Sequence, residues 1–506
     1  MIGPAALFAL AALAIAVALL IPNAWALVPV SLGTAAALVA AFWRTRGDGR
    51  EKPRIPEAVL GAGCAVGLGC TLFTNPTLYG DARAFQSGFR WVALTALVVL
   101  ATYLGVHLHA SLIRARFLIL LACYAVLAVV VIRASPKPWI DVWVFRQAAA
   151  DALLRGFSPY SVSYPDIYGP RVPWAYPPQL LHGGRVVAFP YLPLTVLLDA
   201  PAFALLGDVR YTLVALTIAA AWLFARAVPG SLGELAALLV LFHPRTLFVL
   251  EQAFTEPLVI FCFALTIHAI ARREHWAMAG AALGLLAASK QYSPYLVVPL
   301  AFALPRRALL VAAAVVITVL GPFVMSDPAG FWRGTVGFLV HAPFRTDSLS
   351  LSALAVRLFG AGAQPFAVAG MLVGAVVLAL CIRRNPGLPM ACAAAAASFA
   401  VVLIWSKQSF ANYWWLCSGL LAMAGALRVS GAVPPPDVSV PANSITTDRG
   451  SARYLSPETK GARSQSTISC GESRKVSIHR RHAFPPPPAA GGSSNSSGSQ
   501  YALRMM

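Results

Sequence analysis

One carboxylate stands out in this chain: Asp141, within Lys137-Pro138-Trp139-Ile140-Asp141-Val142-Trp143-Val144-Phe145, lies a few residues past a long apolar run and between two tryptophans. An acid at a membrane mouth flanked by amphipathic rings could take a proton as a general base, and it could equally cap the helix expected over 143–155. The two roles are compatible. Lys290 and Lys407 each interrupt an apolar stretch at a helix end, where an ionisable group is costly unless it has a partner. Snorkelling to lipid headgroups is the plainer account of both. Glu251 and Glu256, with Gln252 between them, could hold hydroxyl groups or a divalent ion, and structural pairing with Arg245 is at least as good an account of them. Trp405, Tyr413, Trp414 and Trp415 offer rings on which a sugar could stack, though interfacial tryptophans usually belong to the aromatic belt.

The elements that must position these residues are membrane helices. The chain has 506 residues, of which 58% are hydrophobic and only 11% charged, far outside the soluble average. Apolar runs fall near 3–21, 25–43, 57–73, 91–110, 117–132, 190–207, 211–227, 231–247, 255–271, 276–289, 291–304, 308–324, 364–382, 388–405 and 411–428. At least ten are expected to cross a bilayer. Period-two alternation is absent, which excludes a membrane β-barrel. The fold class expected is therefore all-α: a polytopic transmembrane helical bundle with one large extracytoplasmic loop, 133–189, carrying short helices.

The net charge of +20 is topology marking rather than a nucleic-acid footprint, because Lys and Arg gather in short loops and in the C-terminal tail. Arg44, Arg46, Arg50, Lys52 and Arg54 place the second loop inside; Arg272-Arg273, Arg306-Arg307 and Arg383-Arg384 also fall inside. That puts 245–255, 290–295, 325–350 and 405–412 outside together with the long loop. One count fails. Three apolar segments lie between the outside loops at 189 and 245, so one of them must be re-entrant, paired at short length or interfacial.

The eight cysteines show no Cys-x-x-Cys spacing and read as small core residues, and no histidine pattern or Gly-rich phosphate cradle is present. No metal site and no cofactor are expected. The apolar N-terminus, Met1 to Ala26, lacks a basic leader and reads as a first membrane helix. Pro434-Pro435-Pro436, a Ser-rich run and Pro485 to Pro488 mark 430–506 as a disordered cytoplasmic tail, and truncation at Arg428 is expected to leave activity.

Further along come Gly156 to Tyr160, Tyr176-Pro177-Pro178, Phe189-Pro190-Tyr191-Leu192-Pro193-Leu194, Glu251-Gln252-Ala253-Phe254-Thr255-Glu256-Pro257, and Ala277 to Lys290 with Tyr292 and Pro294. In this order, behind Asp141, they resemble the polyprenol-phosphate-sugar-dependent glycosyltransferases of the GT-C superfamily, most closely glycosyltransferase family 87, the bacterial mannosyltransferase-like group. The resemblance covers roughly 133–428. Family members carry the acidic loop after their first helix, whereas five spans precede it here, so 1–115 reads as an added transmembrane module and 116–429 as the catalytic region.

The resemblance implies a membrane enzyme that moves a hexose, mannose in the nearest family, from a polyprenyl-phosphate donor to a glycan or glycolipid hydroxyl at the outer face. Asp141 would be the single base of an inverting displacement. Lys290, Lys407, Arg345 and His341, with Arg171 and Arg185, are the cations expected near the donor phosphate. Glu251, Gln252, Glu256, Tyr176 and Trp405 are expected at the acceptor or sugar. A multi-spanning transporter and a non-catalytic envelope-assembly protein are the competing functions. Transporters place polar groups near the midplane and often repeat internally. Here no repeat is evident and the polar residues gather in loops on one side.

Overall fold

The computed structural model describes residues 3–21, 24–43, 53–106, 109–169, 175–360, 364–383 and 387–430. Helices dominate because a backbone in lipid must satisfy its own polar groups, and these apolar runs lack the alternation a sheet needs. The first five are α1 (Pro4–Ala18), α2 (Leu27–Phe42), α3 (Arg54–Phe73), α4 (Ser87–Ala101) and α5 (Ala110–Ala134). A short helix, α6 (Asp141–Leu154), then precedes α7 (Pro193–Leu206), α8 (Arg210–Ala227), α9 (Ser231–Phe242), α10 (Thr246–Glu251) and α11 (Glu256–Ala271). The chain continues through α12 (Trp276–Ala287), α13 (Pro294–Ala301), α14 (Arg306–Ser326), α15 (Pro328–Trp332), α16 (Phe338–His341) and α17 (Leu351–Phe359). It closes with α18 (Gln364–Ile382), α19 (Leu388–Trp405) and α20 (Ala411–Ser430).

Among the described residues, six helical segments are long and apolar enough to cross a membrane, and the bent pair α7–α8 makes a seventh. The chain is a multi-pass membrane protein. Fewer helices among the described residues reach that length and apolarity than the ten or more apolar segments expected, because hydropathy merges a helix with the turns beside it. α1, α9, α11 and α12 hold only 10–17 residues each, below the roughly 20 that a straight crossing needs.

Between 189 and 245, where the odd count arose, α7 and α8 bend by 117° across a short break, the geometry of a broken span or of a re-entrant loop. Pro201 lies inside α7, and Gly207, at φ 76°, ends it. Arg210, buried at the start of α8, returns to Asp208 at 2.7 Å and so holds the corner closed.

Helices α1 to α4 pack into the rest of the bundle. Ser418 Oγ on α20 donates to the Ala12 carbonyl of α1 at 3.0 Å, and Arg245 Nε donates to the Leu19 carbonyl at 2.8 Å. α3 passes so close to the end of α9 that a Cβ on Gly67 would sit 1.7 Å from the Phe242 carbonyl oxygen, so only glycine fits. The cysteines follow their apolar surroundings: Cys64, Cys123, Cys262, Cys381, Cys392 and Cys417 are buried and Cys70 half-buried, while Cys470 lies outside the described residues.

The long loop contains more than α6. Three two-residue strands, β1 (Tyr164–Pro165), β2 (Leu181–His182) and β3 (Arg185–Val186), form an antiparallel sheet in the order β1-β3-β2. The β2–β3 turn is Gly183-Gly184 with both φ positive, the backbone that a two-residue hairpin requires. Beneath the sheet, the Phe145, Tyr160, Tyr164, Tyr176 and Phe189 rings pack into a second apolar core.

Candidate functional site

Asp141 is placed by the helix it begins. α6 carries Arg146 and Gln147, and both are spent on neighbouring elements. Arg146 donates to the two Asp199 carboxylate oxygens on α7 at 2.8 and 2.6 Å and to the Ala253 carbonyl. Both partners of that ion pair are about 1% exposed. Gln147 accepts from Val209 N at 3.0 Å and donates to the Gly207 carbonyl at 3.1 Å, which clasps the α7–α8 corner. These bonds fix α6 against the bundle and thereby fix the position of its first residue.

Asp141 is the first helical residue rather than the cap; Ile140 takes the cap position, with no side-chain cap bond. Asp141 Oδ1 accepts from Val142 N at 2.8 Å and from the Tyr168 hydroxyl at 3.3 Å. Burial pushes the carboxyl above the ordinary aspartate range; the Val142 amide, the Tyr168 hydroxyl and the nearby Arg345 charge oppose that rise.

Asp141 lines a cavity of about 180 Å³. Its walls come from every segment that the charge pattern grouped on one side: Asp141 and Tyr168 from the long loop, Gln252 and Thr255 near α10, Lys290, Arg345, and Asn412 with Tyr413 at the start of α20. Lys290 donates to Thr255 Oγ1 and to Glu256 Oε1, the latter at 3.1 Å, and leaves its third N–H for the cavity. The Tyr191, Tyr292 and Tyr413 rings surround the ammonium at 5.5–5.8 Å. Arg345 is held in the wall by a bidentate pair with Asp347, at 2.8 and 2.6 Å, and lies over the Phe410 ring.

Of the residues singled out in the sequence, Asp141, Gln252, Lys290 and Arg345 thus meet in one cavity. Glu256 lies directly behind Lys290, fully buried; its Oε1 also accepts from the Tyr292 hydroxyl at 3.2 Å, while its Oε2 has no partner. The others are placed elsewhere. Glu251 is buried and accepts from Leu78 N at 2.7 Å and Tyr79 N at 2.9 Å, so it ties down the α3–α4 connection; Arg245 is not its partner. Lys407 spends all three donors on the Leu339, Val340 and Ala342 carbonyls, at 2.8–3.2 Å. Rather than facing a ligand, it fastens α16 and the Arg345 loop to the α19–α20 connection.

His341 is exposed and turned to the Gly337 carbonyl at 2.8 Å. Arg185 bonds to Ser163 across the small sheet. Arg171 lies outside the described residues. Tyr176 is buried behind Asp141, stacked on Phe145 at 5.8 Å, with its hydroxyl unpartnered. Trp405 packs on α18 at Gly370, outside the cavity wall, and Trp414 and Trp415 face the core. Only Tyr413 of that aromatic group lines the cavity.

Tyr168, Tyr191, Thr255 and Asn412 line the cavity without having been singled out. A sequence signal existed for three of them: Thr255 lies within the Glu251 to Pro257 motif. Asn412 opens an apolar span much as Lys290 closes one, and Tyr191 sits within Phe189-Pro190-Tyr191. Nothing local marks Tyr168. Among the described residues no group of three His, Cys, Asp or Glu side chains could hold a metal ion. Neither a protein-family model nor a curated protein sequence matches the chain. The functional reading therefore rests on the residues of the cavity and on the order of motifs along the chain.

Proposed function

We propose that this protein is a membrane glycosyltransferase of GT-C-like architecture, moving a hexose from a polyprenyl-phosphate donor to an acceptor hydroxyl at the outer face of the membrane. The observation that carries the reading is the meeting of one desolvated carboxylate, Asp141, with two oriented cations, Lys290 and Arg345, in one cavity of an apolar helical bundle. A carboxylate whose basicity burial has raised suits proton abstraction from a hydroxyl. The two cations suit a phosphate whose charge grows as its sugar leaves.

The chemistry balances with these groups alone. The acceptor oxygen forms a bond to the anomeric carbon while the bond from that carbon to the phosphate oxygen breaks. The electron pair stays on the phosphate, which becomes a monoester beside Lys290 and Arg345. The acceptor proton passes to Asp141. A single displacement inverts the anomeric configuration. Mannose is the sugar suggested by the motif resemblance.

The orientation follows from charge. Arg272-Arg273 after α11, Arg306-Arg307 at the start of α14 and Arg383 after α18 support, by the positive-inside rule, a cavity on the outer side and a C-terminal tail in the cytoplasm. The test is transfer of labelled hexose from a polyprenyl-phosphate hexose to endogenous acceptors in membranes containing the protein. Labelled glycan of inverted configuration, with released polyprenyl phosphate, is the expected outcome. Folded protein that transfers from no polyprenyl-phosphate sugar would overturn the proposal and favour a carrier.

A further inference from the structure

One hydroxyl grips Asp141 twice. The Tyr168 Oη donates to Asp141 Oδ1 at 3.3 Å and accepts from the Asp141 backbone N–H at 3.4 Å. A hydroxyl has one proton to give and lone pairs to take, so both bonds can stand at once. The amide is one of the donors that the first turn of α6 leaves without an intrahelical partner, and Ile140 supplies no side-chain cap for it.

Tyr168 is itself held. Its ring meets the Trp139 ring edge-on, with centroids 5.3 Å apart, and lies 5.8 Å from the Tyr176 ring. Its backbone N–H and that of Gly169 donate to Asp166 Oδ1 at 3.0 and 2.8 Å, in a turn that Gly169 continues at φ 58°. The grip leaves the carboxylate asymmetric. Oδ1 accepts from Val142 N and from Tyr168, whereas Oδ2 accepts from no described residue and is not among the closed-off atoms. An oxygen already taking two donors is the poorer base of the two. Arg345, Tyr79 and Tyr191 also act on Asp141 through charge, and the Tyr176 hydroxyl lies near it without reaching a partner.

We propose that Tyr168 is a positioning residue for Asp141, holding Oδ1 so that Oδ2 is the oxygen that receives the acceptor proton. The proton assigned to Oδ2 rests on the transfer reading above; the grip on Oδ1 stands without it. Trp139, conspicuous in the sequence beside Asp141, acts as the brace of the tyrosine ring.

Tyr168→Phe deletes the hydroxyl and keeps the ring between Trp139 and Tyr176. The full chain in lipid nanodiscs is titrated by infrared difference spectroscopy, with Asp141→Asn subtracted to isolate the Asp141 carboxyl band. Removing a donor to the ionised form favours the protonated one, so Asp141 in Tyr168→Phe should bind its proton roughly tenfold more tightly than in wild type. Tyr176→Phe should change that affinity by less. In transfer assays at neutral pH, kcat of Tyr168→Phe should fall roughly tenfold with KM little changed.

Asp141 titrating in Tyr168→Phe as it does in wild type, or no differently than in Tyr176→Phe, would overturn the grip. A shifted titration with kcat unchanged would overturn the positioning role. Should Tyr168→Phe fail to fold, Trp139→Leu, which removes the brace, replaces it under the same criteria. The infrared readout needs no turnover: a shifted titration without any sugar transfer would uphold the grip and remove the transferase reading.

Discussion

Several threonines and serines of the helical interior and three side chains around the cavity differ in how their buried polar atoms are partnered. Within the bundle, Thr34, Thr217 and Thr266 return their hydroxyls to carbonyls one turn back, at 2.7–2.9 Å, and Ser418 reaches across to α1. Around the cavity, Gln252 Oε1, Asn412 Oδ1 and Glu256 Oε2 stay unpartnered although they are as deeply buried. The two lysines repeat the contrast: Lys407 is saturated by carbonyls and Lys290 keeps one donor unspent. Unpartnered atoms also occur away from the cavity, at Ser135 Oγ, Thr195 Oγ1 and His243 Nε2, so it is the difference between the two lysines that separates a fastening side chain from one in the cavity wall.

Breaking the Lys290–Glu256 pair should test this contrast with the largest effect on stability. Lys290→Met leaves a buried carboxylate uncompensated, and denaturant unfolding in detergent should show a loss of about 3–5 kcal/mol, much of it restored when Glu256→Gln is added. Gly67→Ala should come next. Its methyl would meet the Phe242 backbone, and the same unfolding measurement should register about 1–3 kcal/mol while the cavity residues keep their arrangement. For Lys407→Ala, freeing three carbonyls should cost about 1–2 kcal/mol and speed amide exchange over 338–345 more than elsewhere in the chain.

The smallest effect on stability belongs to Asp141. Its pKa is raised in the folded state, so the fold binds the proton more tightly than the unfolded chain, and the resulting stabilisation is present at low pH and lost as pH rises through the folded value. At neutral pH the ionised carboxylate therefore works against folding. Asp141→Asn should unfold at the same temperature as wild type or slightly higher. A base must be ionised, so transfer should fall as the medium is acidified, with a midpoint above the ordinary aspartate value of about 3.9.

Much of this was legible along the chain. Composition alone required a helical membrane bundle, and the charge pattern alone gathered the loops that now line one cavity. Lys290 was visible because a charged side chain at the end of an apolar run is expensive, Asp141 because it follows such a run between two tryptophans, Gln252 because it lies between two glutamates, and Arg345 only as a cation in an outer loop. What stayed hidden depended on contacts distant in sequence. Glu251 could not be told from Glu256 until the α3–α4 amides were seen to consume its carboxylate, and Lys407 resembled Lys290 until its three carbonyl partners appeared. Fewer long helices appear than apolar runs because hydropathy reports apolarity and not helix breaks such as the 117° corner. Tyr168 reaches Asp141 only through the fold of the long loop, twenty-seven residues along the chain.

The most direct test of the central claim is sugar transfer from polyprenyl-phosphate mannose in membranes holding wild type or Asp141→Asn at matched protein levels. Loss of the single base predicts a fall of about 10²–10⁴-fold in the variant, with its folding intact. Equal transfer by the two proteins would contradict the account and remove Asp141 from the chemistry.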